Sequence, residues 1–217
     1  MKKHFSLFLA VLFLFTAGIP MTGVYADTWE GAGTAESPYL IKTAADLLAL
    51  NGQTESTTVY QLENDIILDA NAFVTSFGGK LKGNGKTVTL NITSGSNVGL
   101  FGELKWGTVI QNLTVAGTVN GTTAAGIAGS AGNETQYINC VNKAKITGSI
   151  AGGIVGAATG KSKITLTGCR NEGTIAATSH VGGMVGNLNN TSGTISLCSN
   201  AGSISSSGWG ATGGIVG

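Results

Sequence analysis

The sequence predicts an all-β chain, a parallel β-solenoid closed at its N-terminal end by a cap that contains a short helix. Three observations predict it. A Gly-hydrophobic-hydrophobic-Gly unit recurs as Gly99-Leu100-Phe101-Gly102, Gly126-Ile127-Ala128-Gly129, Gly153-Ile154-Val155-Gly156, Gly183-Met184-Val185-Gly186 and Gly214-Ile215-Val216-Gly217, with first glycines 27, 27, 30 and 31 residues apart. A second element keeps phase with it: Cys140, Asn142 and Ile146 return with identical offsets as Cys169, Asn171 and Ile175, and again as Cys198, Asn200 and Ile204. The composition is that of short strands and turns, with 35 Gly among 217 residues and only 11% charged, against average usages of about 7% and about 25%. Self-similarity at such a period marks a unit that buries its inner face only by stacking on its neighbours. Runs of two to four apolar residues with partial alternation, punctuated by Gly, Asn and Ser, make those units strands.

Taken from the N-terminus, residues 1–26 read as a secretory signal. Lys2 and Lys3 precede the apolar run Phe5 to Phe15, and Val24-Tyr25-Ala26 places small residues at the positions that direct cleavage, after Ala26. The run is too short to span a bilayer, which takes about 20 residues, so no membrane span is expected once the signal is removed. Residues 27–97 read as the N-terminal cap and first coils. Thr43 is placed to cap a short helix, with Asp46 in its first turn and Leu47, Leu48 and Leu50 as its apolar side. Tyr60 to Leu62 and Ile66 to Leu68 read as a strand pair, and Leu81, Val88, Leu90 and Ile92 flank a turn at Gly83-Asn84-Gly85.

Residues 98–217 read as the repeats. Leu113, Val115 and Val119 hold the Cys, Asn and Ile places one repeat earlier, and Ile110, Tyr137, Leu166 and Ile195 stand three residues ahead of Leu113 and of each Cys. The recurring Ile, Val, Leu and Cys are expected inward. The recurring Asn is expected at corners, bonded to backbone and tolerant of the left-handed conformation, and the recurring Gly at tight corners and close approaches. The chain stops at Gly217 on a repeat boundary. An open solenoid end exposes unpaired strand groups, so truncation of a longer protein, or end-to-end self-association, is expected.

The residues also resemble a known family. Val98-Gly99-Leu100-Phe101-Gly102 and the later Gly-Gly-Ile-Val-Gly units resemble the GLUG-motif repeat. The lead-in Gly33-Thr34 to Pro38-Tyr39-Leu40-Ile41, the segment around Asn64-Asp65-Ile66 and that around Gly83-Asn84-Gly85-Lys86 resemble the start of bacterial surface proteins of this kind. The resemblance covers about residues 29–217. It implies a right-handed parallel β-helix of the pectin-lyase-like type in a secreted or surface-attached bacterial protein. Such repeats occur in adhesin-like proteins and in some immunoglobulin A-cleaving metalloproteases. It carries no catalytic residue with it.

The chemistry-bearing residues agree with a non-catalytic reading. Lys and Arg total 12 against 11 acids, which leaves no basic footprint for nucleic acid. Beyond the signal His180 is the one histidine, too few for His-Glu-x-x-His zinc chemistry, and it reads as an exposed turn residue. Asp65 and Asp69 are the acids that come nearest to a glycosidase pair, but they sit in early coils and read as turn residues. Lys80 to Thr87 lacks the leading Gly of a phosphate loop and reads as strand-turn-strand. Cys140, Cys169 and Cys198, 29 residues apart, read as a reduced core ladder, because parallel Cβ vectors on rungs about 4.8 Å apart suit a disulfide poorly. No metal, cofactor or catalytic residue is expected.

The function expected is therefore a secreted or cell-surface structural stalk or adhesin-like module. A module binding glycan or a host surface protein is the first alternative, with Trp106 and Trp209 as candidate contacts and Trp29 and Tyr137 as further aromatics. The repeat region of a larger surface enzyme, such as an immunoglobulin A-cleaving metalloprotease, or a polysaccharide lyase or hydrolase, is the other.

Overall fold

The computed structural model describes residues 29–159, 163–189 and 192–217; the signal predicted at residues 1–26 lies outside them. The chain winds into about five coils, each contributing strands to three parallel sheets of seven, eleven and five strands. The first sheet runs from Tyr39–Ile41 through Val59–Leu62, Lys80–Lys82, Val109–Gln111, Thr135–Ile138 and Lys163–Thr167 to Ser192–Ser196. The second is built on Thr87–Ile92, Thr114–Ala125, Lys145–Gly152, Ile175–Gly182 and Ile204–Ser206, and the third on Val74–Phe77, Phe101–Leu104, Ala128–Ala131, Val155–Thr159 and Val185–Asn189. The fold is a parallel β-solenoid.

Register follows the repeat. On the first sheet one inward column reads Tyr39, Tyr60, Leu81, Ile110, Tyr137, Leu166, Ile195. On the second, Ile92, Val119, Ile146, Ile175 and Ile204 form another. A third begins as Ile66, Val88 and Val115 and continues as Asn142, Asn171 and Asn200. On the third sheet Val74, Phe101, Ala128, Val155 and Val185 stack, with Val216 next. A one-residue slip would turn every one of these side chains outward, so burial pins the register. Where Tyr137 enters the first-sheet column, the preceding third-sheet strand carries Ala128 and Ala131 in place of Phe101 and Leu104; the volume moves from one face to another and the interior stays filled. Tyr137 is fully buried and its hydroxyl makes no hydrogen bond of good geometry. Burial pushes its ionisation well above the usual range for a phenol, and the Thr135 side chain offsets this only in part.

The cap forms as its residues require. Thr43 Oγ1 accepts from the Asp46 amide at 3.2 Å and Asp46 Oδ2 accepts from the Thr43 amide at 2.9 Å, a reciprocal capping box over the helix Ala44–Leu48. Leu47 and Leu50 enter the core. Trp29 lies edge-on to Tyr60 at 5.2 Å, Tyr60 meets Phe77 at 5.7 Å, and Phe77 stacks on Phe101 at 5.1 Å, an aromatic column tying the cap to the coils. Val59–Leu62 and Ile66–Ile67 are not a strand pair: they are successive strands of one coil on different sheets, each paired with the coil above it.

The corners differ from expectation in an informative way. The recurring Asn142, Asn171 and Asn200 are not left-handed; their strands are extended, and Asn142 and Asn171 are fully buried. The left-handed position is the residue just before Leu113 and each Cys: Asn112 at φ 53°, Asn139 at 51°, Gly168 at 65° and Leu197 at 55°. Asn and Gly suit it, but a leucine there brings its Cβ against the following carbonyl oxygen. Leu197 is also 88% exposed. Leu197→Asn is expected to raise stability by about 1 kcal/mol, read as a higher urea midpoint with unchanged slope.

The recurring glycines serve close approach, since none of them has a left-handed φ. The second glycine of each unit, Gly102, Gly129, Gly156 and Gly186, falls at a gap in the third-sheet ladder, between Ala128↔Val155 and Ser130↔Ala157 for example. A Cβ on Gly156 would stand 2.6 Å from the Gly129 carbonyl oxygen, and one on Gly186 equally close to that of Gly156. The first glycines meet the next coil: a Cβ on Gly126 would lie 2.7 Å from the Gly153 carbonyl oxygen and 2.6 Å from Asn142 Oδ1.

Candidate functional site

His180, Glu172 and Asp65 each engage a neighbouring group. His180 is not a turn residue: it lies in the strand Ile175–Gly182 opposite Ile150, half-buried, with Nδ1 2.8 Å from Ser179 Oγ. Glu172 faces Arg170 Nε at 3.2 Å and Lys143 Nζ at 3.8 Å on the surface. Asp65 Oδ1 accepts from the Thr87 amide at 2.8 Å, bracing one coil on the next, and Asp69 is exposed. Among the described residues no three His, Cys, Asp or Glu gather where a metal ion would be held.

The three cysteines are free thiols on consecutive coils, Cys140 and Cys169 buried and Cys198 half-buried. Cys140 Sγ donates to the Ile110 carbonyl at 3.5 Å, and Cys169 Sγ to that of Tyr137 at 3.4 Å, each reaching the coil before it. Contact with the Cys169 thiol, with burial added, pushes Cys140 well above the usual thiol range, and burial raises Cys198. The same contact with Cys140 shifts Cys169 the other way, favouring its thiolate; Cys140 and Cys198, as raised thiols, are poor nucleophiles.

Beside them runs a ladder of amides. Asn142 Nδ2 donates to Asn171 Oδ1 at 2.6 Å and Asn171 Nδ2 to Asn200 Oδ1 at 2.7 Å. Each Nδ2 also donates to the carbonyl two residues on, of Ala144, Gly173 or Gly202, and each Oδ1 accepts from the same residue's amide. These polar side chains are satisfied within the wall and offer nothing to a ligand.

The aromatic candidates separate. Tyr137 is in the core and Trp29 packs with Tyr39 and Tyr60, so neither forms a binding surface. Trp106 is 60% exposed at the turn from the third sheet to the first, between Phe101–Leu104 and Val109–Gln111. Trp209 is fully exposed in the loop that interrupts the second sheet between Ile204–Ser206 and Thr212–Gly213. The two therefore lie at different corners, on different coils.

A shallow groove lies where no single segment of the sequence points. On the outer face of the second sheet the trios Asn120-Gly121-Thr122, Thr147-Gly148-Ser149 and Ala176-Ala177-Thr178, with Ser207, line a shallow, open depression of about 410 Å³. Gly121, Gly148, Ala177 and Ser206 are Cα partners on successive coils. A Cβ on Gly148 would stand 2.6 Å from the Gly121 carbonyl oxygen, so this line of small residues lets adjacent coils approach closely there. The register shifts just beyond it, between Gly148 and Ile150. The trios stand 27 and 29 residues apart in the sequence; that second repeat of small and hydroxyl residues was the available signal.

No family model matches the chain, and the GLUG likeness rests on its motif residues. The chain is 30% identical over 193 residues to halomucin of Haloquadratum walsbyi, covering 78% of this chain and 2% of that protein. It is 33% identical over 132 residues to a protein of Evansella cellulosilytica named "Putative Gly-rich membrane protein", covering 52% of this chain and 15% of the other. The chain thus spans a small fraction of the curated relatives it matches. Among solved structures it is similar to a chain from Bacteroides ovatus described as "a putative immunoglobulin A1 protease", with a TM-score of 0.53, 20% identity, and coverage of 79% of this chain and 69% of that one. The shared fold is a β-solenoid. At that identity the likeness concerns the solenoid alone, and the neighbour's activity stays with the neighbour. Among the described residues no helix is long and apolar enough to cross a membrane.

Proposed function

We propose that this solenoid is a non-catalytic module exported to the cell surface, a rigid stalk or adhesive element of the GLUG-repeat kind. The observation that carries the reading is the unbroken inward column from Tyr39 to Ile195, with side chains of one coil resting on the next along the whole length of the first sheet. Such stacking resists bending because each coil is held by its neighbours on both sides. Relatives named halomucin and Gly-rich membrane protein support a place at the cell boundary, and the signal-like residues 1–26 support export.

The test is protease shaving and antibody labelling of intact producer cells, with N-terminal sequencing of the recovered chain. Surface labelling, a mature end at Asp27 and no depolymerisation of supplied polysaccharides are expected. Confinement to the cytoplasm, or release of reducing ends, would overturn the proposal. A second reading, glycan binding by the same module, is favoured by the uncharged groove on the second sheet. Scaffolding of a larger surface enzyme is a third role that the solenoid neighbour brings to mind, and detection of a protease domain on the same polypeptide would favour it.

A further inference from the structure

We propose that the second-sheet groove, together with Trp209, is a binding site for a neutral oligosaccharide lying along the solenoid axis. The inference rests on the glycan-binding reading and assigns it a place. Its first support is chemical. The hydroxyls of Thr122, Thr147, Ser149, Thr178 and Ser207 make no hydrogen bond among the described residues, and each can both donate and accept. Asn120 spends Nδ2 on the Thr93 carbonyl at 3.1 Å, which leaves Oδ1 available as an acceptor. No lining side chain is ionisable. A sugar presents hydroxyls that are likewise donors and acceptors, whereas a phosphate, sulfate or uronate would find no cation among the lining residues, the exposed Lys145 standing two residues before Thr147 in its strand.

The second support is geometric. Equivalent groups recur on successive rungs, about 4.8 Å apart, so three rungs span on the order of 10–15 Å, the length of a di- or trisaccharide. The depression is shallow and open, about 410 Å³, so a ligand of that length would lie along the surface with one face in solvent. A polymer with a regular repeat would meet the same set of groups on each coil.

The third support is Trp209. The second-sheet strand breaks after Ser206, and the loop that follows is seated on the groove's own rim. The Ser207 amide donates to the Ala177 carbonyl at 3.1 Å, and Gly208 and Gly210 approach the carbonyls of Thr178 and Ser179 so closely that neither has room for a Cβ. Those two glycines flank Trp209, whose ring is fully exposed. The first residue of this loop lines the groove and the exposed indole stands two residues on; that indole would serve as the apolar plate for the C–H face of a sugar ring. Burying one face of an indole against a ligand is a large gain of the kind aromatic anchors supply.

The test is calorimetric titration of the folded chain with neutral malto-, cello-, manno- and galacto-oligosaccharides and with acidic oligogalacturonides. Wild type is expected to bind at least one neutral series and no acidic one. Trp209→Ala, and Thr147→Val, which keeps shape but removes a hydroxyl, are each expected to weaken binding by about tenfold, the scale of one stacking contact or hydrogen bond. Trp106→Ala, at a different corner, should stay within about twofold of wild type. Circular dichroism melts establish that each variant is folded. Binding that survives Trp209→Ala and Thr147→Val, or that falls instead with Trp106→Ala, overturns the placement while leaving glycan binding standing. Absence of binding by wild type to every neutral series overturns both. Preference for the acidic series overturns the chemical argument.

Discussion

Gly153→Ala is expected to leave the chain unfolded or aggregated under conditions where the wild type is stable. The added Cβ would fall on the Gly183 carbonyl oxygen of the next coil and stand 3.0 Å from both Cβ and Oδ1 of Asn171. Two of the three obstacles are held by ladders on both sides, so relief requires separating two coils along a sheet. Overpacking of a relaxed core costs about 1–3 kcal/mol; a collision with backbone in mid-stack is expected to exceed about 3 kcal/mol, a large share of the 5–15 kcal/mol that single domains possess. Gly214 is the control. It holds the same place in the last unit, and nothing lies within 4 Å of a Cβ built there. Gly214→Ala is expected to change stability by less than about 0.5 kcal/mol. Urea unfolding followed by circular dichroism measures both; equal effects would show that the close approach between coils is not what the repeated glycine is for.

Asn171→Ala is the second large effect. The fully buried amide donates to Asn200 Oδ1 at 2.7 Å and to the Gly173 carbonyl at 3.0 Å, and accepts from Asn142 Nδ2 at 2.6 Å and from the Gly173 amide at 3.3 Å. Truncation strands partners on three coils. At about 1 kcal/mol per bond, with a further penalty for groups left buried and unpaired, a loss of about 3–5 kcal/mol is expected. The same column holds Ile66, Val88 and Val115 in the earlier coils, so an apolar column fits the wall. Replacing Asn142, Asn171 and Asn200 all by Val should therefore cost much less than three times the single change, because no side-chain amide is left without its neighbour. Strict additivity in the unfolding free energies would mean that the three amides act singly.

The parts of the fold that could be read from the sequence are those in which a chain period becomes a spatial neighbour directly. Tyr137 stacks between Ile110 and Leu166 because a solenoid places residues one period apart on adjacent rungs. The Thr43 cap was readable because it is settled within a single helical turn. What misled was residue type taken without its position. Propensity points Asn to left-handed corners, yet the recurring Asn is an extended residue of the wall, and the left-handed place falls one step before the Cys, where Leu197 gives no turn signal at all. His180, beside a pair of glycines, looked like a turn and is a strand residue.

The candidate site was less visible, because no single coil contains it. Asn120-Gly121-Thr122 alone is an ordinary strand segment. It becomes the side of a groove only when Gly148 and Ala177 stack beyond Gly121 and the loop around Trp209 settles on Thr178 and Ser179. Class, period, register and the inward columns were determined by the amino-acid sequence, since burial of apolar residues at a fixed repeat admits one stacking. The groove on the second sheet, the exposure of Trp106 and Trp209 and their separation were decided only by the tertiary structure, because grooves and solvent access arise from several coils at once and no local pattern encodes them.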